Sequence, residues 1–162
     1  MYRQKLDAID IQILKMLQEK GRTKRSELAE KVGLTIPSVS ERLRKLESMG
    51  IIKGYHALLD PRKVGLEVTA FILVETESPR YFDQILQRAV SNEEILECHG
   101  VTGEGSFLLK ARTNSTASLE DLLNEIGSWP GVTNTRTSVV LSSPKETTVL
   151  PLRHLEESLG LI

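Results

Sequence analysis

A chain of 162 residues is long enough for one medium domain or two small ones. Its composition, 40% hydrophobic and 27% charged, is typical of a soluble globular protein, and no stretch approaches the roughly 20 apolar residues that a membrane helix needs. The single cysteine, Cys98, excludes an internal disulfide, and no apolar run follows the basic residues near Met1, so we expect a cytoplasmic protein without a signal peptide.

The net charge of −1 conceals a strong division along the chain. Up to Lys63 there are 14 Lys and Arg against 8 Asp and Glu, a balance of +6. From Val64 onward there are 7 against 14, a balance of −7. The division indicates that the N-terminal part meets a polyanion such as nucleic acid. Small domains often carry a few net charges by chance, so charge alone does not decide this.

Two helices are predicted first, from apolar residues at helical spacing. The first ends at Gly21, and the second begins after Thr23 or Lys24 and ends at Gly33. Each has one apolar face, which indicates that the two pack against a shared core. The apolar positions are Leu6, Ile9, Ile13, Leu14 and Leu17 in the first helix and Leu28, Ala29 and Val32 in the second.

A third helix follows Thr35, a residue type that caps helices well. It tolerates Pro37 because that proline lies in the first turn. Gly50 closes the helix ahead of the apolar pair Ile51-Ile52. The apolar positions are Ile36, Val39, Leu43 and Leu46, of which Val39, Leu43 and Leu46 are expected to face the core.

The join between the second and third helices matches a helix-turn-helix, covering about Arg25 to Arg44. Such a motif needs a small residue where the helices cross, a turn residue that accepts positive φ, and an apolar plug on its second helix. Ala29, Gly33 and Val39 supply these in turn. Because other helical hairpins share this spacing, a plain three-helix core is the alternative.

The face of the third helix opposite its core positions is polar when read at about 100° per residue. Short polar side chains at its leading end suit base edges, with Glu41 accepting from a cytosine amino group, and the cations suit phosphates or guanine. A solvated charged face is the alternative, which the motif and the positive charge disfavour. The predicted DNA-binding residues are Ser38, Ser40, Glu41, Arg42, Arg44 and Lys45.

A linker separates these helices from the rest of the chain. An extended segment runs from Ile51 to Leu59, Asp60-Pro61 forms a turn, and the C-terminal end has an extended Thr147–Leu150 before a short packing helix around Leu152–Leu159. The predicted domains are a helix-turn-helix domain at 1–60, a linker at 61–66, a ligand-sensing and oligomerisation domain at 67–142, and a C-terminal strand and helix tail at 143–162.

Beyond the linker, one pattern occurs twice with an offset of 37 residues. Two amphipathic helices have apolar residues at i, i+3, i+4 and i+7, the first from Phe82 and the second from Leu119. The apolar strand segments 70–72 and 107–109 keep the same offset. Tandem strand-helix-strand units predict a ferredoxin-like βαββαβ domain, with Gly103-Glu104-Gly105 as the central hairpin turn. The predicted fold class is therefore α+β.

Val68 to Val74 is almost continuously apolar, although a strand with one wet face should alternate. This strand is therefore expected to be buried on both faces, by the domain's own helices and by a second subunit. Some exposed apolar residues are common on any surface and are the alternative explanation. A dimer would give a DNA-binding protein two reading heads for two half-sites.

Two other functional classes are disfavoured. Cys98 and His99 resemble a nucleophile and a base, but neighbours on a strand point to opposite faces. His56 has no ligand-spaced partner, so it is interpreted as structural, and no phosphate-binding glycine loop is present. RNA binding needs exposed aromatic residues for stacking, and the third strand offers only Phe107. We expect no catalytic residue, no metal and no cofactor.

A series of short, distinct motifs extends along nearly the whole chain. They are Leu6-Asp7, Asp10, Ile13-Leu14, Gly21-Arg22, Glu27-Leu28-Ala29, Val32-Gly33-Leu34-Thr35, Val39 through Arg42 to Leu46-Glu47, Gly50-Ile51-Ile52, Leu59-Asp60-Pro61 and Cys98-His99-Gly100-Val101-Thr102-Gly103. Together they resemble the Lrp/AsnC, or feast/famine, family of bacterial and archaeal regulators. Thr35 stands where the family usually has a serine, a change that keeps the helix cap.

The resemblance implies dimers that pair strands between subunits and commonly assemble into octameric rings that wrap DNA. It also implies an amino-acid effector bound between ferredoxin-like domains, where turn amides suit a carboxylate. Many members have Asp where this chain has Ser106, so Glu104 is the alternative contact for the ammonium group. The implied effector-binding residues are Gly103, Glu104, Gly105, Ser106, Thr135, Thr137 and Ser138.

The sequence thus predicts a sequence-specific DNA-binding transcription regulator whose assembly or DNA binding responds to a small, leucine-like apolar amino acid. Its expected partners are double-stranded DNA, the effector and further copies of itself, and no membrane. A ligand-independent architectural DNA-binding protein is the alternative.

Overall fold

The computed structural model describes residues 6–162, which divide into two compact units. The helical unit comprises the residues up to Leu58 together with Glu146–Ile162, and the sheet unit comprises Leu59–Lys145. No helix within 6–162 combines the length and apolarity required to cross a membrane. In chain order the elements are α1 (Ala8–Glu19), α2 (Arg25–Val32), α3 (Ile36–Ser48), β1 (Val68–Thr76), α4 (Phe82–Ser91), β2 (Ile95–Gly100), β3 (Phe107–Thr113), α5 (Thr116–Gly127), β4 (Val132–Val139) and α6 (Arg153–Ser158).

The first three helices pack around one apolar core. α1 begins at a capping box, in which Asp7 Oδ1 accepts the Asp10 N–H at 2.9 Å and Asp10 Oδ2 accepts the Asp7 N–H at 3.2 Å. Ile36, the first residue of α3, is apolar but 49% exposed. The fully buried residues of this core include Ile13, Leu28, Val39 and Leu46.

The turn between α2 and α3 has the geometry predicted for a helix-turn-helix. Gly33 ends α2 at φ 69°, the left-handed conformation that glycine adopts without steric cost. The Leu34 N–H then donates to Ala29 O at 3.0 Å. Thr35 caps α3, its Oγ1 accepting the Ser38 N–H at 3.3 Å. The predicted helix-turn-helix fold is confirmed.

The sheet unit contains an antiparallel sheet with strand order β2-β3-β1-β4. Both α4 and α5 pack on the same face, because Ile85 and Ile126 share a buried core with Ile72 and Leu109. The order of elements and the pairing of both strand-helix-strand units are those of a ferredoxin-like fold. The predicted α+β class and βαββαβ arrangement are confirmed.

The two faces of β1 differ in burial despite their similar apolar sequence. Ala70, Ile72 and Val74 are fully buried beneath the helices. On the other face, called the open face here, Phe71 is 36% exposed and Leu73 is partly buried. A single chain therefore does not bury β1 on both faces, and the open face carries apolar side chains from its central strand.

The C-terminal strand predicted within 143–162 is not present: residues 143–152 form no strand, and only α6 is regular. A side chain takes the place of a strand partner. Leu150 N–H donates to Gln18 Oε1 at 2.7 Å, and Gln18 Nε2 donates to Leu150 O at 3.2 Å. Lys15 also forms an ion pair with Glu156. These contacts with α1 explain why residues 146–162 belong to the helical unit.

Candidate functional site

The outer face of α3 presents most of the predicted DNA-binding side chains. Glu41, Arg44 and Lys45 are exposed, and Ser38 and Ser40 are half-buried at the leading end. The Thr35 and Ser38 hydroxyls lie 2.9 Å apart, so the start of the helix carries a hydrogen-bonded pair of hydroxyl groups. Short polar groups followed by cations are what a helix needs to enter a major groove.

Arg42 is half-buried and turned toward the start of α1. Its Nη1 donates to Asp7 Oδ2 at 2.7 Å and to Asp10 Oδ1 at 2.8 Å, and Asp10 is buried. These bonds raise the pKa of Arg42. Burial alone would raise the pKa of Asp7, but the Asp10 N–H and the Arg42 guanidinium outweigh it and hold that pKa below its usual value. Arg42 therefore ties α3 to the start of α1, and its predicted contact with DNA stays a prediction.

Two residues absent from the predicted set lie on the same surface as α3. Arg25, the first residue of α2, donates from Nη1 to Ser40 Oγ at 3.4 Å. Ile36 exposes an apolar side chain at the leading end of α3, the type of group that contacts a thymine methyl. The periodicity of one helix cannot reveal a side chain that arrives from another helix, which is why sequence reasoning missed Arg25.

The far end of the same face is held by a tyrosine that follows α3. Tyr55 donates from its hydroxyl to Glu47 Oε1 at 2.9 Å. Burial, and then the hydrogen bond to the Glu47 carboxylate, raise the pKa of Tyr55 to about 12. The phenol is therefore neutral at physiological pH and remains a donor that orients an acidic side chain near the C-terminal end of α3.

The hairpin between β2 and β3 contains the first four predicted effector-binding residues. Gly103 and Gly105 both have positive φ, 96° and 92°. A Cβ on Gly105 would also lie 2.7 Å from Leu73 Cγ, so glycine is required there by both conformation and space. Ser106 joins the hairpin to β1, because its N–H donates to Val74 O at 2.8 Å and its Oγ lies 2.6 Å from Thr76 Oγ1.

An arginine that sequence reasoning missed links this hairpin to the sheet. Arg136 on β4 contacts Glu104 Oε2 at 2.8 Å and Glu75 Oε1 at 2.9 Å. These two carboxylates raise the pKa of Arg136. The Glu104 carboxylate, the alternative contact for an effector ammonium, already has a cationic partner in the single chain.

The remaining predicted effector residues are divided between the two faces of β4. Thr135 pairs with Val74 and Thr137 pairs with Ile72, so both lie on the face covered by α4 and α5. Ser138 pairs with Phe71 and lies on the open face. The single chain therefore does not bring Thr135 and Thr137 together with the hairpin, because β4 pairs with β1 in a register that turns them to the helices.

The adjacent Cys98 and His99 lie on opposite faces of β2, as predicted for strand neighbours. Cys98 packs against the core, where burial raises its pKa, whereas His99 Nε2 lies 3.1 Å from Glu97 Oε2 on the open face. Lys110 Nζ donates to Glu97 Oε1 at 3.2 Å, and both contacts lower the pKa of Glu97. No group of three or more metal-ligating residues occurs in the described part of the chain.

Family models match both halves of the chain. A winged helix-turn-helix DNA-binding model covers residues 6–53, which contain α1 to α3. The Lrp/AsnC ligand-binding domain covers residues 69–150, which contain all four strands except the first residue of β1, together with the hairpin. The two functions predicted for the two halves are thus matched by separate models.

Similar proteins cover almost the entire chain. The HTH-type transcriptional regulator FL11 of Pyrococcus horikoshii is 38% identical over 91% of this chain and 97% of its own length. The leucine-responsive regulatory protein of Haemophilus influenzae is 39% identical over 91% of each chain. A transcriptional regulator from Neisseria meningitidis, solved in complex with L-methionine, is 37% identical with a TM-score of 0.88, covering 93% of this chain and 99% of that one. The chain therefore belongs to the Lrp/AsnC family of transcriptional regulators, with a helix-turn-helix for DNA and the ligand-binding domain of that family.

Proposed function

We propose that this protein is a sequence-specific regulator that reads double-stranded DNA with α3. The observation that carries the proposal is the outer face of that helix, where Ser38, Ser40 and Glu41 precede Arg44 and Lys45. The hydroxyls and the carboxylate suit base edges, and the two cations suit phosphates or guanine. In this proposal the protein is cytoplasmic and acts by binding DNA rather than by catalysis.

The effector in this proposal is an apolar amino acid of the size of leucine. Support comes from the family's ligand-binding domain, from the relative named for its leucine response and from the neighbour bound to L-methionine. The effector-binding region is the hairpin from Gly103 to Ser106, whose backbone amides suit a carboxylate. Ser138 on the open face belongs to this region, and Arg136 controls the availability of Glu104.

Self-association through the open face belongs to the same proposal. Phe71 and Leu73 place apolar surface in the middle of that face, and burying it against a second subunit would be favourable. Dimers, and octamers built from them, would place several copies of α3 along one duplex. An effector that binds one assembly state better than another then shifts DNA binding by linkage, with a coupling of about 1–3 kcal/mol.

A DNA-binding titration with and without amino acids tests the regulatory part. The upstream region of the protein's own gene serves as the duplex, and leucine, methionine and the charged control aspartate are each added. We expect leucine or methionine to change the DNA affinity about 5-fold or more and aspartate to leave it unchanged. Equal affinities under all conditions, with no heat of binding for any of the standard amino acids up to millimolar concentration, would identify an architectural protein instead.

A further inference from the structure

The guanidinium of Arg25 lies beside Ser40, near the leading end of α3. Although Arg25 begins α2, its Nη1 reaches Ser40 Oγ at 3.4 Å, near the upper limit for a hydrogen bond. Its positive charge also acts on the phenol of Tyr55, which contacts Glu47. The contact with Ser40 therefore places the guanidinium of Arg25 at the proposed DNA-reading face.

Arg25 keeps most of its binding capacity in the free protein. A guanidinium has five N–H donors, and a long bond to a neutral hydroxyl uses one of them weakly. Among residues 6–162, no carboxylate lies within ion-pair distance of Arg25, whereas Arg42 contacts two carboxylates. Arg25 is also exposed, so a negatively charged partner can approach it from solvent.

A duplex that receives α3 supplies such a partner. When a recognition helix lies in the major groove, the preceding helix crosses the sugar-phosphate backbone. A phosphate is a stronger acceptor for arginine than a neutral hydroxyl, because the bond is charge-assisted at both ends. We propose that Arg25 leaves Ser40 for a backbone phosphate when DNA binds, which frees the Ser40 hydroxyl to contact a base edge.

This inference rests on the proposed binding of DNA by α3, and the competing explanation is that Arg25 only positions Ser40. The two explanations differ in the salt dependence of binding. Each phosphate contact contributes about 0.9 to the slope of log K against log salt, whereas a contact that only orients a neutral side chain contributes none. Arg25→Gln and Arg25→Ala therefore separate a phosphate contact from a positioning contact.

Lys31 offers a matched control on the same helix. It is exposed in the last turn of α2, at the other end of the helix from Arg25, and its backbone carbonyl accepts from Gln12 Nε2 of α1. Lys31→Ala removes the same charge from the same unit. Ser40→Ala removes the hydroxyl that Arg25 contacts and leaves the guanidinium in place.

The experiment measures equilibrium binding to the upstream duplex by fluorescence anisotropy between about 50 and 200 mM salt. For Arg25→Gln and Arg25→Ala we expect the slope to fall by about 0.9 per subunit that contacts DNA. Arg25→Lys should restore the slope, and Lys31→Ala and Ser40→Ala should keep that of the wild type. Thermal melting shows which variants are folded, and Arg25→Gln, which keeps the carbon chain to Cδ and a neutral N–H donor, decides the case if Arg25→Ala melts early.

An unchanged slope for folded Arg25→Gln would overturn the inference, and so would an equal loss of slope in Lys31→Ala. If Ser40→Ala and Arg25→Gln lower affinity equally without any change of slope, Arg25 is a positioning residue. Absence of binding by the wild-type protein would refute the proposed function itself. The two failures are therefore distinguishable.

Discussion

At the start of α1, two carboxylates and one guanidinium join residues that are far apart in the sequence. Arg42 contacts both Asp7 and Asp10, which also form the capping box of α1. Asp10 is buried, so removing the guanidinium leaves a carboxylate with limited access to water. A residue on the DNA-binding helix thus stabilises the helical unit from within.

Arg42→Ala should lower the free energy of unfolding by about 1–2 kcal/mol, the usual range for losing charge-assisted hydrogen bonds that are partly screened by solvent. Arg44→Ala is the matched control, because Arg44 is exposed two residues away. We expect Arg44→Ala to weaken DNA binding and leave stability within about 0.5 kcal/mol of the wild type. Urea unfolding of both variants measures this, and equal stabilities would show that the ion pairs contribute nothing.

The ion pairs of Arg42 also predict how the difference in unfolding free energy between wild type and Arg42→Ala depends on pH. The pKa of Asp7 is lower in the folded chain than its ordinary value of 3.8. Between these two pKa values the folded state therefore binds fewer protons than the unfolded state. The stabilisation is complete above that ordinary value and is lost as the pH falls through the folded pKa. The unfolding free energies of wild type and Arg42→Ala should therefore converge below about pH 4 and differ at neutral pH.

The orientation of the Arg42 side chain does not follow from the periodicity of α3 alone. Its angular position on α3 is marginal, between the core and the solvent, and the acidic partners that decide its orientation lie on α1. Ile36 is a second case, because it is apolar but lies exposed in the first turn of the helix. Neither position is determined by local spacing.

At the scale of elements, the hairpin between β2 and β3 depends on two glycines in different surroundings. Gly103 has positive φ and no heavy atom within 4 Å of an added Cβ, whereas at Gly105 the added atom would meet Leu73. Any other residue at either position incurs backbone strain of about 1–3 kcal/mol. Only at Gly105 must a packed side chain on β1 also move.

Gly105→Ala should therefore destabilise the sheet unit more than Gly103→Ala. We expect both variants to lose about 1 kcal/mol or more, with the larger loss at Gly105 because overpacking adds to the strain. When Leu73 is already alanine, Gly105→Ala should cause only about the loss of stability seen for Gly103→Ala. The side chain that the added Cβ would meet is then absent. Thermal melting of the four variants measures this, and equal losses at both glycines would contradict the proposed role of Leu73.

The elements themselves follow from local patterns. Ala29, Gly33 and Val39 predict the helix-turn-helix, and the offset of 37 residues predicts the tandem strand-helix-strand units. The faces of β4 do not follow, because its pairing with β1 decides which side each residue occupies, and that register turns Thr135 and Thr137 to the helices. The predicted C-terminal strand is not present, and the N–H and C=O of Leu150 bond to the side chain of Gln18 and not to another strand.

At the scale of the whole molecule, the charge division coincides with the division of tasks. The first 63 residues carry +6 and contain the helix-turn-helix, whereas the remainder carries −7 and contains the ligand-binding domain. Because DNA is a polyanion, this distribution of charge favours contact through the N-terminal part of the chain. The proposed contacts assign the electrostatic part of DNA binding to a small number of cations near α3.

The salt dependence of duplex binding by Arg44→Ala/Lys45→Ala tests this dependence most directly. A matched control, Arg88→Ala/Lys145→Ala, removes two exposed charges from the sheet unit. We predict that the first variant binds the upstream duplex more weakly, with a slope of log K against log salt reduced by about 1.8 per contacting subunit, and that the control keeps the wild-type slope. Equal slopes for the two variants, or a wild-type protein that binds no duplex at low salt, would contradict the assignment of α3 as the DNA-reading helix.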